Sequence, residues 1–262
     1  MSLADRDTYS TDTSLGRSLL LKIFGNPSLA FYPEFYWIVR RSGRRALQGR
    51  YGDREWSDSS REVMTALERA GVRFELEGMD NLKKVPGPLV FVGNHMGTLE
   101  TMVLPCIIQP VHRVTFIVKE SLTRTPVFGP VMRSRDPIVV GRKNPREDLK
   151  AVLEKGAGKL AAGTSIIVFP QSTRSPRFNP EDFNTLGIKL ASRAGVPLLP
   201  VALKTDAWGI GSLIKDFGRI DTTKTVHIRF GEPMAVTGRG MHEHEKVIAF
   251  IRTNLEAWSG RE

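Results

Sequence analysis

From residue 71 onward the chain alternates between short apolar runs and longer stretches whose apolar positions recur every three to four residues. The short runs predict strands at 72–76, 89–92, 114–118, 138–140, 165–169, 198–203 and 226–230. The longer stretches predict helices at 98–108, 145–162, 182–194 and 241–258. Several of the strands are apolar throughout, as strands buried on both faces are. Strands alternating with helices in this way imply an α/β fold with a largely parallel central sheet and helices on both faces. No repeat, low-complexity tract or long linker interrupts the pattern.

The first 70 residues follow a different rule. Residues 1–14 are polar and are expected to fray. Residues 15–39 are rich in apolar and aromatic side chains, broken by Gly25-Asn26-Pro27 and Pro33-Glu34, and read as two short helices or one broken helix. A further helix is predicted from Ser57 to Ala70, with Ser57 or Asp58 as its cap and Gly71 as its stop. The simplest division is an N-terminal helical segment, 1–70, followed by one α/β domain, 71–262. The basic group Arg40-Arg41-Ser-Gly-Arg44-Arg45 follows the aromatic run. Aromatics beside arginines suit the headgroup zone of a membrane, and they suit equally a helical cap with a solvated charged face.

Charge sharpens the question of partners. There are 38 basic and 28 acidic residues, a net charge of +10. Such an excess points to an anionic partner: nucleic acid, a membrane surface or a phosphorylated substrate. Nucleic acid is not expected, because it calls for aromatics interleaved with a Lys/Arg stripe, whereas here they concentrate in the apolar N-terminal stretch. The single cysteine, Cys106, rules out an internal disulfide and a multi-cysteine metal site, and fits a reducing compartment. It lies amid Leu104-Pro-Cys-Ile-Ile108 and reads as a buried structural thiol. The N-terminus lacks the pattern of a secretory signal, and no run of about 18 apolar residues predicts a transmembrane helix. No P-loop, G-x-G-x-x-G or G-x-S-x-G occurs, so those modes of nucleotide binding and hydrolysis have no support. His242 and His244 do not share a helix face, so no metal site is expected there, and His112 and His227 show no evident partner.

Candidate chemistry gathers at Pro88–Thr101. The apolar run 89–92 ends in Gly93-Asn94, His95 follows, and Glu100 comes five residues later. On one helix the two would be separated by about 140° around the axis, and along a strand by roughly 17 Å. They meet only if His95 sits on the turn leaving the strand and Glu100 in the first turn of the next helix, with Gly93 and Gly97 giving the backbone freedom. Such a pair can act as an acid–base unit; it can also be a turn residue and a helix-favouring carboxylate. After the strand 165–169 comes Pro170-Gln-Ser-Thr-Arg-Ser-Pro176, whose hydroxyls, backbone N–H groups and guanidinium form a natural clamp for a phosphate or carboxylate. Both loops leave the carboxyl ends of strands, which in a parallel sheet share one edge.

Several blocks occur in a telling order: Asn94-His95-Met-Gly-Thr-Leu-Glu100, Lys119-Glu-Ser-Leu122 with Pro126-Val-Phe-Gly129, Val139-Val-Gly-Arg142, Phe169-Pro-Gln-Ser-Thr-Arg-Ser175, Gly187-Ile-Lys-Leu-Ala191 and Val196-Pro-Leu-Leu-Pro-Val201. Over about 75–235 the chain resembles the glycerolipid acyltransferase family, whose type member is 1-acylglycerol-3-phosphate acyltransferase and whose pattern is N-H-x-x-x-x-D followed by F-P-E-G-T-R-S. The resemblance implies an acyltransferase acting at the cytoplasmic face of a membrane as a peripheral protein. His95 would be the general base and Glu100 its orienting carboxylate. Lys119, Arg142, Gln171, Ser172, Thr173 and Arg174 would bind substrate. It implies no metal and no resident cofactor; acyl-CoA or acyl-carrier protein would be the acyl donor, a lysophospholipid the acceptor, and an anionic membrane surface the third partner. Two departures bear on this. The family's aspartate is Glu100, as in acyltransferases of the lipid A type, and its Glu-Gly pair is Gln171-Ser172, which puts the acceptor more than the reaction in question. A lyso-ornithine lipid or another hydroxylated lipid is therefore a competing acceptor, and a non-catalytic lipid-binding module, in which His95 and Glu100 do not meet, is the competing class.

Overall fold

The computed structural model describes residues 3–260, apart from 13, 142, 143, 172 and 213. Its sheet comprises β1 (Tyr9–Ser10), β2 (Arg73–Glu77), β3 (Val90–Gly93), β4 (Val114–Lys119), β5 (Ile138–Val140), β6 (Ser165–Val168), β7 (Leu198–Lys204) and β8 (Thr225–Phe230), in the spatial order 1-2-8-7-3-6-4-5. The helices are α1 (Leu19–Phe24), α2 (Pro27–Leu47), α3 (Asp53–Arg69), α4 (Leu99–Ile108), α5 (Glu120–Thr123), α6 (Phe128–Ser134), α7 (Pro145–Ala161), α8 (Leu186–Ala194) and α9 (Met241–Ser259).

Five adjacent strands, β7, β3, β6, β4 and β5, run parallel. β8 joins β7 antiparallel, with Leu203 opposite Ile228, and β2 follows parallel to β8. Every residue of β3, β6 and β7 is buried. Period-two alternation divides their side chains between two cores. Phe91, Ile167, Leu199, Val201 and Leu203 pack with α2, α3 and α4 on one face. Val90, Val92, Ile166, Val168 and Leu198 pack with α7, α8 and α9 on the other. Burial on both faces is why these strands read as unbroken apolar runs. Gly187 permits the close approach of α8 to the sheet, since a Cβ there would lie 2.6 Å from Val92 Cγ2.

The N-terminal residues depart from expectation. Instead of fraying, Tyr9–Ser10 add an edge strand antiparallel to β2, and Tyr9 Oη and Thr11 Oγ1 donate to the buried Glu68 carboxylate at 2.6 and 2.8 Å. The stretch 15–39 forms two helices. Ser18 and Asn26 cap them, and Gly25, with φ of 62°, turns the chain between them. α2 then continues through Pro33 to Leu47. α3 begins at Asp53, well before the expected Ser57, because Glu55 Oε2 folds back to accept the Gly52 N–H at 2.8 Å and caps the earlier turn. α8 starts at Leu186 rather than at 182, which belongs to a separate 3-10 turn, Pro180–Asp182.

α2 has two characters. Ala30, Phe31, Phe35, Ile38 and Val39 enter the core. Leu29, Tyr36 and Trp37 are exposed, as are Leu19, Ile23 and Phe24 of α1 and Ile210, Ile214 and Phe217 of the loop before β8. Among the described residues, no helix is long and apolar enough to cross a membrane.

Candidate active site

The carboxyl ends of β3, β6 and β7 bring three loops together. β3 is fixed at its end by Asn94, which is buried. Its side chain pairs with Leu203 of β7 as a further strand residue would: Nδ2 donates to the Leu203 carbonyl at 2.7 Å, and Oδ1 accepts the Leu203 N–H at 2.9 Å. The next residue, His95, therefore leaves the sheet in a set direction.

His95 and Glu100 meet across the strand-to-helix junction. His95 Nδ1 lies 2.8 Å from Glu100 Oε1, with the carboxylate completely buried. Oε1 also accepts the backbone N–H groups of Met96 and Gly97, at 2.7 and 2.8 Å, and Oε2 accepts Thr205 Oγ1 at 2.7 Å. The extra methylene of glutamate lets a residue in the first turn of α4 reach back over all four donors. Burial alone would raise the Glu100 pKa, but the His95 hydrogen bond and charge, then Thr205 and the Gly97 amide, outweigh it and hold the carboxyl below its ordinary range. An ionised Glu100 can only accept, so it favours the tautomer in which Nδ1–H donates to it and Nε2 carries the lone pair. The ring is stacked on Phe169 at 4.4 Å and 7°, so packing as well as hydrogen bonding orients it.

The loop after β6 grips His95 from the other side. Gln171 Oε1 accepts the His95 N–H at 2.7 Å, and the Ser175 N–H donates to the His95 carbonyl at 3.0 Å. Gln171 is buried, with its amide oxygen turned to the His95 backbone. Arg174 lies nearby, partly exposed; its Nη1 contacts Thr98 Oγ1 at 3.1 Å and is ion-paired with Asp216. Thr173 is exposed in the same loop, and Lys119 is exposed at the end of β4, on the same sheet edge. Arg142 and Ser172 lie outside the described residues.

Sequence reasoning missed Thr98, Thr205, Asp216 and Phe169 as parts of this cluster. Thr205 carried a readable signal: it is the first residue past an apolar strand ending on the same edge. Asp216 carried none, since its contact to Arg174 spans 42 positions and a loop.

The other candidates are structural. Burial pushes the Cys106 thiol up to about 12, which removes the thiolate. His112 and His227, for which the sequence suggested no partner, both have partners: His112 Nε2 lies 2.5 Å from the Leu82 carbonyl, and His227 stacks on Trp258 with its Nδ1 3.1 Å from Glu75 Oε2. Among the described residues, no group of three His, Cys, Asp or Glu side chains could hold a metal ion.

Comparison with known proteins places the chain in a family. A family model described as Acyltransferase matches residues 73–204. The chain is 30% identical over 189 residues to the 1-acyl-sn-glycerol-3-phosphate acyltransferase of Pseudomonas aeruginosa, covering 72% of this chain and 68% of that one. It is 26% identical over 196 residues to the enzyme of the same name from Borreliella burgdorferi, covering 74% of each. Of the chloroplastic relative from Brassica napus, 28% identical over 129 residues, it spans only 36%, or 49% of this chain. The fold matches the crystal structure of PlsC, the 1-acyl-sn-glycerophosphate (LPA) acyltransferase from Thermotoga maritima, with a TM-score of 0.70 at 21% identity, over 90% of this chain and 96% of that one. The chain belongs to the acyltransferase family. Within it, it is a glycerolipid acyltransferase of the 1-acylglycerol-3-phosphate acyltransferase type.

Proposed function

We propose that the protein moves a fatty acyl group from an acyl thioester, acyl-CoA or acyl-carrier protein, to the hydroxyl of a lysophospholipid-type acceptor, with no resident metal or cofactor. The observation that carries this reading is the His95 Nδ1 contact to the buried, fully hydrogen-bonded Glu100 carboxylate at 2.8 Å. With Nδ1–H held by Glu100, His95 Nε2 takes the proton of the acceptor hydroxyl as that oxygen attacks the thioester carbonyl. The tetrahedral intermediate then expels the thiolate, the imidazolium returns the proton to sulfur, and an ester and a free thiol result. Glu100 stabilises the imidazolium while it exists and keeps the ring in one tautomer. No covalent acyl-enzyme is needed. Arg174, Thr173, Lys119 and Gln171, on the same edge, belong to the substrate-binding set, and the family pattern adds Arg142 and Ser172 to it.

We also propose that the segment 1–70 docks the enzyme on the cytoplasmic face of an anionic membrane as a peripheral protein. The exposed Leu19, Ile23, Phe24, Tyr36 and Trp37, with Arg40 stacked over Trp37 at 5.2 Å, support this. The decisive assay crosses acyl-CoA and acyl-carrier protein with a panel of lysolipids, for the wild type and His95→Ala. Transfer by the wild type and none by a folded His95→Ala is expected; an active, folded variant overturns the mechanism.

A second reading keeps the chemistry and changes the acceptor, on the strength of Gln171. Its amide is committed to the His95 backbone and brings no charge to the arginine loop.

A further inference from the structure

Arg174, the one described guanidinium in the arginine loop beside His95, already has an anionic partner. Its Nη1 contacts both Thr98 Oγ1 and Asp216 Oδ1, and Thr98 Oγ1 lies 3.1 Å from the same Asp216 oxygen. Asp216 is not a chance surface carboxylate. Its backbone carbonyl accepts the Trp208 indole N–H at 3.1 Å, and Trp208 is fully buried, edge-on to Phe31 and Phe35 of α2. The next residue, Phe217, packs against Tyr32 with ring centroids 5.6 Å apart. The segment closes on itself through Gly209 N–H to the Arg219 carbonyl at 3.0 Å, an approach that a Cβ at Gly218 would block, since it would lie 1.8 Å from the Gly209 oxygen. Asp216 is thus held beside Arg174 by a buried aromatic brace.

A guanidinium has five N–H donors, and Nη1 supplies only two of them, so Nε and Nη2 remain to meet an anion; a carboxylate has lone pairs to spare on its outer oxygen. The pair consequently offers a donor fork and an acceptor side by side, with no net charge. A phosphate monoester brings close to two negative charges and no cation. At this position it gains the fork and is repelled by Asp216. A headgroup that carries an ammonium beside its phosphate or carboxylate satisfies both halves.

Resting on the reading of this loop as the acceptor site, we propose that Asp216 is a specificity-determining residue that selects acyl acceptors with a zwitterionic headgroup over phosphate monoesters. The shared chemistry is an ammonium adjacent to an anion, whether in a phosphoethanolamine or in an amino-acid headgroup.

The test compares wild type, Asp216→Asn and Asp216→Ser, checked for folding by circular dichroism, in acyl transfer to lysophosphatidate, lysophosphatidylethanolamine and lyso-ornithine lipid in mixed micelles. Asparagine keeps the shape and an oxygen for Arg174; serine is the second variant. The wild type is expected to prefer one of the two zwitterionic acceptors. The substitutions are expected to move the kcat/KM ratio at least tenfold toward lysophosphatidate, through KM rather than kcat. Calorimetric titration with glycerol 3-phosphate and with glycerophosphoethanolamine reads the same site without transfer: glycerol 3-phosphate is expected to bind Asp216→Asn at least tenfold more tightly than wild type, with a smaller change for the zwitterion. A smaller shift, an equal fall in kcat for every acceptor, or no binding of either probe overturns the assignment. If the wild type acylates none of the lipids but the binding shift appears, the acyl-acceptor reading fails while the charge role of Asp216 stands. If transfer proceeds and neither ratio moves, the Asp216 assignment fails alone.

Discussion

Thr205 closes the surroundings of Glu100: its hydroxyl, at the carboxyl end of β7, donates to Oε2 at 2.7 Å while the other carboxylate oxygen serves His95, Met96 and Gly97. The buried carboxylate is thereby saturated by donors from the turns that leave two strands, β3 and β7. This is the condition under which a buried charge is tolerable, since an isolated one would neutralise itself. Each substitution at Glu100 should then separate a different part of the arrangement. Glu100→Gln keeps the length and one accepting oxygen but loses the charge opposite an imidazolium. A fall in kcat of about 10²–10⁴-fold is expected with the fold intact, as for the corresponding change in a hydrolase triad. Glu100→Asp keeps the charge and shortens the reach, so it cannot serve all four donors; a smaller fall in kcat with a measurable loss of stability is expected. Steady-state kinetics with urea unfolding checks both, and wild-type kcat in Glu100→Gln would remove the carboxylate from the mechanism.

The same carboxylate makes stability depend on pH in a defined direction. Its folded pKa is lowered relative to the ordinary value of 4.5. Such a group contributes stability above the unfolded value, and that contribution fades as pH falls from 4.5 through the folded pKa. The stability gap between wild type and Glu100→Gln should be constant above pH 5 and narrow below 4.5. Thr205→Val removes a hydroxyl while nearly preserving shape, leaving one buried oxygen short of a donor. A loss of about 1–3 kcal/mol is expected. The Glu100 pKa rises at the same time, so the acid-side loss of stability should begin at higher pH than in the wild type. Denaturant melts from pH 3 to 7 test this; a gap that widens on acidification contradicts it.

Much of this arrangement was legible in the residue pattern, for physical reasons that also mark where legibility stops. Strands such as Leu198–Lys204 are readable because burial on both faces requires an unbroken apolar run. Tyr9–Ser10 was not, because nothing local makes it a strand; the Glu68 carboxylate and the free edge of β2 do. The start of α3 was misplaced because Ser57 and Asp58 look like caps, while the Glu55 carboxylate on the Gly52 amide caps earlier. At the site, His95, Glu100, Gln171 and Arg174 announce themselves as polar residues past apolar strands. Thr98 and Asp216 do not, since an ordinary threonine and a loop aspartate gain meaning only when folding brings them to Arg174.

The exposed apolar surface of α1 gives a third expectation. Ile23 and Phe24 are 62% and 61% exposed, so their replacement should leave stability within about 0.5 kcal/mol. On a membrane each could bury most of its side chain, worth roughly 1.5–3 kcal/mol. The double variant Ile23→Asp, Phe24→Asp should therefore bind anionic phospholipid vesicles at least tenfold more weakly, with an unchanged melting temperature. Arg44 and Arg45, in the last turn of α2, should make binding weaken as salt rises. Vesicle co-sedimentation reads both effects. Undiminished binding by the double variant would assign the apolar face of α1 to some other role.

Asn94 offers the sharpest test of how the sheet aims His95. Its amide completes the end of β3 by pairing both backbone groups of Leu203, at 2.7 and 2.9 Å, in a fully buried position. Asn94→Ala leaves one buried N–H and one buried carbonyl without partners. At about 1–3 kcal/mol for each such group, a loss of roughly 2–6 kcal/mol is expected, with a lower kcat because the residue before His95 is no longer pinned to β7. Asn94→Asp is more revealing. At pH 7 it places a charged oxygen where Nδ2 donated, against the Leu203 carbonyl, and should cost more than alanine. Once protonated, the same carboxyl has one donor and one acceptor in nearly the shape of the amide, so it can restore both bonds. Burial and the facing carbonyl both favour that neutral form, which raises the folded pKa above the ordinary aspartate range. With a raised folded pKa, the penalty of Asn94→Asp should be largest at neutral pH and shrink as pH falls through that pKa, while that of Asn94→Ala shows no such recovery. Parallel urea melts of the two variants at pH 7 and 5 decide the matter: an Asn94→Asp protein as stable as wild type at pH 7 would mean that this pairing does not hold the end of β3.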